Sequence, residues 1–199
     1  MQKIMYSIGT TLILSVLAAC GGGGGSGGET NNAAPTKTFA ISSTTYSNNG
    51  IIPVAAACTS QGGNNISPQI TLSDLPSTTN KVALIMDDEV EPCGTGRNAC
   101  VHWAVFNLPA SKTQISAGEN LLSDTNVKYG RTYDDNSTGY QGPCPPTNHT
   151  YKLTAYALKD TMPNIQGINF QSNNTRAAFE ENFSTHIIEK VTLTGRYPQ

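Results

Sequence analysis

The sequence predicts a mainly antiparallel β-domain with one or two peripheral helices, and three observations carry this reading. Short apolar runs alternate with turn signals from Phe39 onward. Charged residues are only 13% of the 199-residue chain, well below the usual quarter or so. Ser, Thr, Asn, Gln and Gly carry the polarity instead, a mix that suits strands and turns. Only one stretch has convincing helical spacing. The length suits one domain with its own core. A formal net charge of -2 provides no basic stripe for a nucleic acid.

Residues 1–19 read as a lipoprotein signal peptide. Lys3 gives a positive start, and Ile8 to Ala19 form an apolar core too short to span a bilayer. Leu17-Ala18-Ala19-Cys20 resembles the site where bacterial lipoproteins are acylated on cysteine and cleaved just before it. An ordinary signal peptide with a chance cysteine is the alternative. Cys20 is therefore the expected lipidation site, and more than one acyl chain suffices for stable anchoring. Gly21 follows it where an Asp could stand, which by resemblance to enterobacterial sorting implies the outer membrane, on its periplasmic or surface face. Residues 20–38 are the expected tether. Gly21 to Gly28, interrupted only by Ser26, cannot hold a regular element, and the tether's reach is roughly 20–25 Å. No strand precedes this run and no Lys-Ser/Thr follows it, so it is not a phosphate-cradling loop. The folded domain is expected over 39–199.

Within it, Val82 to Met86 is a compact apolar run that predicts a buried strand, and Val101 to Leu108 predicts another. Tyr151 to Leu158 alternates with period two, as a half-buried strand does. Thr175 to Lys190 places Ala177, Ala178, Phe179, Phe183, Ile187 and Ile188 near helical spacing, and Val191 to Gly195 closes the chain as a strand. Export implies an oxidising compartment, in which Cys58, Cys93, Cys100 and Cys144 are expected to form two disulfides. Three pairings are open. Cys93 and Cys100 flank a loop-like stretch, Gly94 to Asn98, and close easily, which leaves Cys58 for Cys144. The alternative leaves Cys144 simply buried.

Three segments gather polar residues at strand ends. They are Met86-Asp87-Asp88-Glu89-Val90-Glu91-Pro92, Val101-His102-Trp103, and the Gly/Pro loop from Gly139 to Cys144 that runs through Pro145-Pro146 to His149 and Tyr151. These resemble the Asp-Pro-Asp-x-Pro, His-Trp and Gly-Pro-Cys-Pro-Pro…His-x-Tyr motifs of the phosphatidylethanolamine-binding protein family, in particular of its bacterial Raf-kinase-inhibitor-like branch. Asn65-Ile66-Ser67-Pro68-Gln69-Ile70 upstream and His186 to Tyr197 downstream match too, so the resemblance runs from about Thr45 to Tyr197. It departs at Glu89 and Val90, where the pattern has Pro and Asp, at Leu72 for Trp, and in the added Cys93–Cys100 loop.

The resemblance implies an antiparallel β-sandwich with a small anion pocket at one end of the sheet. Carried over singly, Asp88 is the motif carboxylate, His102 the His-Trp histidine, Gly142 and Pro143 the loop wall, and His149 and Tyr151 the histidine and tyrosine after it. Two imidazoles and a phenol can donate to a phosphate or carboxylate, backbone N–H groups around Gly142 can add donors, and Asp88 would fix one imidazole's tautomer. Asp87, Glu89 and Glu91 are expected on a solvated rim, and His186 in a structural role. No metal or cofactor is expected, because Asp88, His102 and His149 lack metal-motif spacing. No Gly-x-Ser-x-Gly elbow is present, and paired thiols supply no nucleophile, so the expectation is a binding module rather than an enzyme. Its partner is a small anionic ligand or phospholipid headgroup. The alternative is a protein-interaction module that inhibits a periplasmic or host enzyme.

Overall fold

Two β-sheets of unequal size stack around the core. The computed structural model describes residues 37–134, 139–166 and 174–198. The signal peptide, Cys20 and nearly all of the tether lie outside them. The strands are β1 (Ala40–Ser42), β2 (Gly50–Ile51), β3 (Ile70–Ser73), β4 (Lys81–Asp88), β5 (Cys100–Pro109), β6 (Gln114–Ile115), β7 (Lys128–Tyr129), β8 (His149–Leu158) and β9 (Ile187–Tyr197), with helix α1 (Arg176–Phe183) before the last. The larger sheet has the order β2-β9-β8-β4-β5-β7 and the smaller β1-β3-β6. Every pairing is antiparallel except β2 with β9. No helix among the described residues is long and apolar enough to cross a membrane.

The three central strands β4, β8 and β5 are buried on both faces, so β4 reads as an unbroken apolar run. Along β4, Val82, Leu84 and Met86 enter the core shared with Ile70, Leu72 and Ile115 of the small sheet. Ala83 and Ile85 face the other way, towards Phe179 of α1. This is the period-two alternation of a strand, with both sides covered. Phe179 stacks on Phe106 and leans on Tyr156, with ring centroids 5.9 and 4.8 Å apart, which seats the helix on the outer face. Tyr151 to Leu158, expected to be half-buried, is covered on both sides from Leu153 onward for the same reason.

The last helix is shorter than its spacing predicts. Thr175 caps its start, its hydroxyl accepting from the Ala178 N–H at 3.1 Å. The helix ends at Phe183, and after one 3-10 turn the chain is already in β9 at Ile187. The far end of β8 needs a partner, and Ile187, Glu189 and Lys190 supply it opposite Leu158, Ala157 and Tyr156. Sheet pairing thus overrides a helical pattern whose final apolar residues, Ile187 and Ile188, are β-branched.

β5 carries two irregularities against β4. Val82 and Leu84 oppose Leu108 and Val105, and Met86 and Asp87 oppose Trp103 and Val101. The second leaves His102 as an extra residue without a partner on β4, the geometry of a β-bulge, which re-aims a side chain.

Candidate functional site

Adjacent residues on a strand face opposite sides, and this separates the acidic pair at the end of β4. Asp87 shares the face of Ala83 and Ile85. It is 1% exposed, and it accepts from the Arg176 backbone N–H at 2.8 Å and from Nε of the same residue at 2.5 Å. Asp87 is therefore a buried anchor for the start of α1, not the solvated rim residue expected. Glu89 is also fastened. It accepts from the Gly96 N–H at 3.0 Å, Lys152 Nζ at 3.1 Å and Arg176 Nη2 at 3.0 Å, and so ties down the loop that carries Cys93. Of the three carboxylates only Glu91 is an exposed rim residue.

Asp88 shares the face of Met86. Its Oδ1 accepts from the Val90 N–H at 2.8 Å, and its Oδ2 lies 2.5 Å from His149 Nδ1. Both side chains of that pair are 2% exposed. The register explains the contact: Asp88 is opposite Tyr151, so His149 is its diagonal neighbour on the same face. His102 arrives from the bulge in β5, and its Nδ1 lies 2.8 Å from the Gln141 carbonyl oxygen. The Tyr151 ring stands edge-on to His102 at 4.9 Å, and the Tyr133 ring lies 4.8 Å away, tilted. Cys93 Sγ lies 3.9 Å from Asp88 Oδ2, a contact without a proton because the sulfur is bonded to Cys100.

The loop from Gly139 to Asn148 is held against the segment Ala56 to Cys58. The Cys58–Cys144 disulfide spans 86 positions with its Cα atoms 5.4 Å apart, and Cys93–Cys100 closes the other loop at 5.3 Å. The long bridge is worth about 4 kcal/mol on chain-entropy grounds. Ser60 Oγ sits 3.0 and 2.9 Å from the two sulfurs of the first bridge and, both being bonded, is the donor. The Cys58 N–H donates to the Pro143 carbonyl at 3.0 Å. A side chain at Gly142 would lie 2.2 Å from the Ala56 carbonyl oxygen, so only glycine allows this approach. The Gly142 N–H donates to Asn65 Oδ1 at 2.5 Å. That corrects one expectation: this N–H is spent on holding the loop and does not serve an anion.

Asp88, His102, His149 and Tyr151 line one cavity of about 120 Å³, together with Tyr133, Pro92, Cys93, Cys100, Cys144, Pro145 and Pro146. Gly142 and Pro143 are not among its walls; they act behind it, at the loop's seat. Nothing in the sequence marks Tyr133, whereas Asn65 belongs to a matched motif whose role only the fold reveals. The cavity is smaller than the roughly 300–1,000 Å³ that buries a drug-sized ligand. No group of His, Cys, Asp and Glu suited to a metal occurs among the described residues.

The model of the phosphatidylethanolamine-binding protein family matches residues 42–198. The chain belongs to this family. An UPF0098 protein of Chlamydia pneumoniae is 31% identical over 150 residues, 73% of this chain and 90% of that protein. Another, from Methanothermobacter thermautotrophicus, is 31% identical over 74% of this chain and 91% of its own length. Among solved structures, a phosphatidylethanolamine-binding protein homologue of Chlamydia trachomatis superposes with a TM-score of 0.66 at 27% identity, covering 81% of this chain and 97% of its own. Escherichia coli YbcL gives the same TM-score of 0.66 at 22% identity, covering 81% and 98%, which speaks to the fold.

In this family member the two histidines are electrostatically unlike. Burial lowers the His102 pKa, against the Gln141 carbonyl and Asp88, which oppose the shift. A carbonyl can only accept, so neutral His102 carries its proton on Nδ1 and a lone pair on Nε2. His149 has a carboxylate, not a carbonyl, at Nδ1. Burial, with Asp88 adding to it, raises the Tyr151 phenol well above its ordinary range, so it stays a hydroxyl donor. The lowered pKa has a stability consequence. The unfolded imidazole titrates near 6.5, so below about that pH the unfolded chain binds a proton the folded one resists, and stability falls with acidification. Glu89 and Glu119 have lowered pKa values and act only in the carboxylate range; the raised Asp87 carboxyl works in the opposite sense. Urea midpoints at pH 7.5 and 5.5 should therefore drop in the unsubstituted chain and drop less in His102→Phe; equal drops would refute the assignment.

Proposed function

We propose that the chain is a non-enzymatic binding module for a small anionic group: phosphate, a phospholipid headgroup or a carboxylate. The observation that carries this reading is His149. Its Nδ1 is committed to Asp88, while Nε2 is buried with no hydrogen-bond partner among the described residues. His149 also forms part of the cavity wall. Leaving a buried polar group unmatched costs about 1–3 kcal/mol, and an anion in the cavity removes that cost when the ring is an imidazolium. The phenols of Tyr151 and Tyr133 supply further donors. Membership of a family named for phosphatidylethanolamine binding supports the same reading. Cys58, Cys93, Cys100 and Cys144 are all bonded, so none offers a thiolate to a substrate, which favours binding over catalysis.

Phosphate titrated into the full chain should shift the side-chain nitrogen resonances of His149 and His102 with saturation. His149→Ala should weaken that binding at least about tenfold, the loss of one charge-assisted hydrogen bond. Unmoved resonances would refute the pocket, and unchanged affinity in the variant would refute the role of His149.

The second part of the proposal is the anchor. Acylation of Cys20 would hold the cavity within roughly a tether length, about 20–25 Å, of a bacterial membrane, where headgroups are abundant. Cells fed labelled palmitate should label the chain, and Cys20→Ser should abolish the label; a labelled variant would contradict it.

A further inference from the structure

We infer that Cys93–Cys100 is a thiol–disulfide exchange site, a bridge that takes electrons from small thiols reaching the cavity, whereas Cys58–Cys144 is the permanent bridge of the fold. This is independent of whatever else the cavity binds. Both bridges reach the wall of one cavity, through Cys93 and Cys100 for the short bridge and Cys144 for the long one. They differ in what governs exchange. Cys93 and Cys100 are both half-buried, so neither end of the short bridge is shut away from an incoming thiol. Cys58 is 3% exposed. Attack on Cys144 must expel a thiolate at Cys58, where burial makes it a poor leaving group.

The loop that the short bridge closes is also held without it. Cys100 is the first residue of β5 and lies opposite Asp88 of β4. The Cys93 N–H donates to the Val90 carbonyl at 2.9 Å, and the Gly94 N–H to the Asn98 carbonyl at 3.1 Å. Glu89 accepts from the Gly96 N–H at 3.0 Å, and Arg97 Nη1 lies 2.6 Å from Glu181 Oε2 of α1. A bridge spanning 7 positions removes less chain entropy than one spanning 86, and here these contacts already fix its ends. Opening it leaves two thiols side by side, their Cα atoms 5.3 Å apart, so it closes again readily. The bridge lies in the added loop, where the family pattern is interrupted, so the exchange is particular to this chain. Asp88 Oδ2 lies 3.9 Å from Cys93 Sγ, and a carboxylate there disfavours a thiolate on Cys93. The small thiol, having lost its proton to water, therefore bonds through sulfur to Cys93 Sγ. The Cys93–Cys100 bond breaks, and its electron pair leaves on Cys100 Sγ, which takes up a proton. Return of Cys100 to Cys93 expels the small thiol. Attack by a second small thiol on the first one's sulfur instead releases Cys93 as a thiol, with the two small thiols oxidised to their disulfide.

Trapping on the full chain tests this. The oxidised protein is incubated with mercaptoethanol in the absence of denaturant, quenched with N-ethylmaleimide and mapped by peptide mass spectrometry. Cys93–Cys100 should open at least about tenfold faster than Cys58–Cys144, because only the latter must place a thiolate at a buried position. At early times the mercaptoethanol adduct should map to Cys93 and the maleimide to Cys100. Adding the disulfide of mercaptoethanol should restore the Cys93–Cys100 pair and no other. The double variant Cys93→Ser with Cys100→Ser should keep the near-ultraviolet dichroism of the unsubstituted chain. Equal opening rates, or a short bridge that opens only in denaturant, overturn the inference. So does loss of the fold in the double variant, which would make the short bridge structural. An adduct found first on Cys100 overturns the assigned direction of attack.

Discussion

A carboxylate buried at the end of a β-strand sets the terms for this structure. Asp88 is buried at the end of a strand whose middle, Val82 to Met86, is wholly apolar. An ionised carboxylate in such a place is costly unless its oxygens are matched. Two groups match it: the Val90 N–H as the chain turns away from β4, and Nδ1 of His149 as the chain enters β8. The first fixes the exit of the strand. The second fixes a ring, and therefore decides which imidazole nitrogen is left for the cavity. Removing either partner exposes an unmatched buried charge, so the two strand ends and the ring are specified together.

The opposite wall depends on covalent and backbone restraint instead. The Gly/Pro loop contributes no regular element, and loops are usually mobile. Here it is fastened by several contacts, among them the Cys58–Cys144 bridge, the Cys58 N–H on Pro143, the Gly142 N–H on Asn65, and the Tyr140 hydroxyl on the Ala56 carbonyl at 2.9 Å. Gly142 belongs to this fastening and not to the cavity wall. The Gln141 carbonyl that orients His102 is one residue away, so the loop sets the second histidine's tautomer as Asp88 sets the first. Both rings are thus held by packing, each with Nδ1 against an acceptor and Nε2 left over.

The strands were legible because their burial writes an unbroken or alternating apolar pattern, as in Val82 to Met86 and Tyr151 to Leu158. The helix was legible at its start and not at its end, because Ile187 and Ile188 satisfy helical spacing while the partner of Ile187 on β8, Leu158, lies about thirty residues away in sequence. The residues Asp88, His102, His149 and Tyr151 were found through motif order, and the structure brings them to one cavity. The roles of their neighbours were not legible. Asp87 and Asp88 look alike in sequence, and only strand parity sends one to Arg176 and the other to His149. The role of the Gly142 N–H depends on an asparagine 77 positions earlier. The bulge that turns His102 into the site is a property of pairing between β4 and β5, which no local pattern encodes.

The pairing of Asp88 with His149 is the claim on which the rest stands, and its protons can be observed directly. Long-range proton–nitrogen correlation spectra of the full chain, recorded across the pH range in which it stays folded, identify which ring nitrogen of His149 is permanently protonated. The account predicts that Nδ1, held against Asp88, carries a proton throughout and that Nε2 is the nitrogen that responds to added phosphate. A spectrum in which the permanent proton sits on Nε2 and Nδ1 is bare would contradict it.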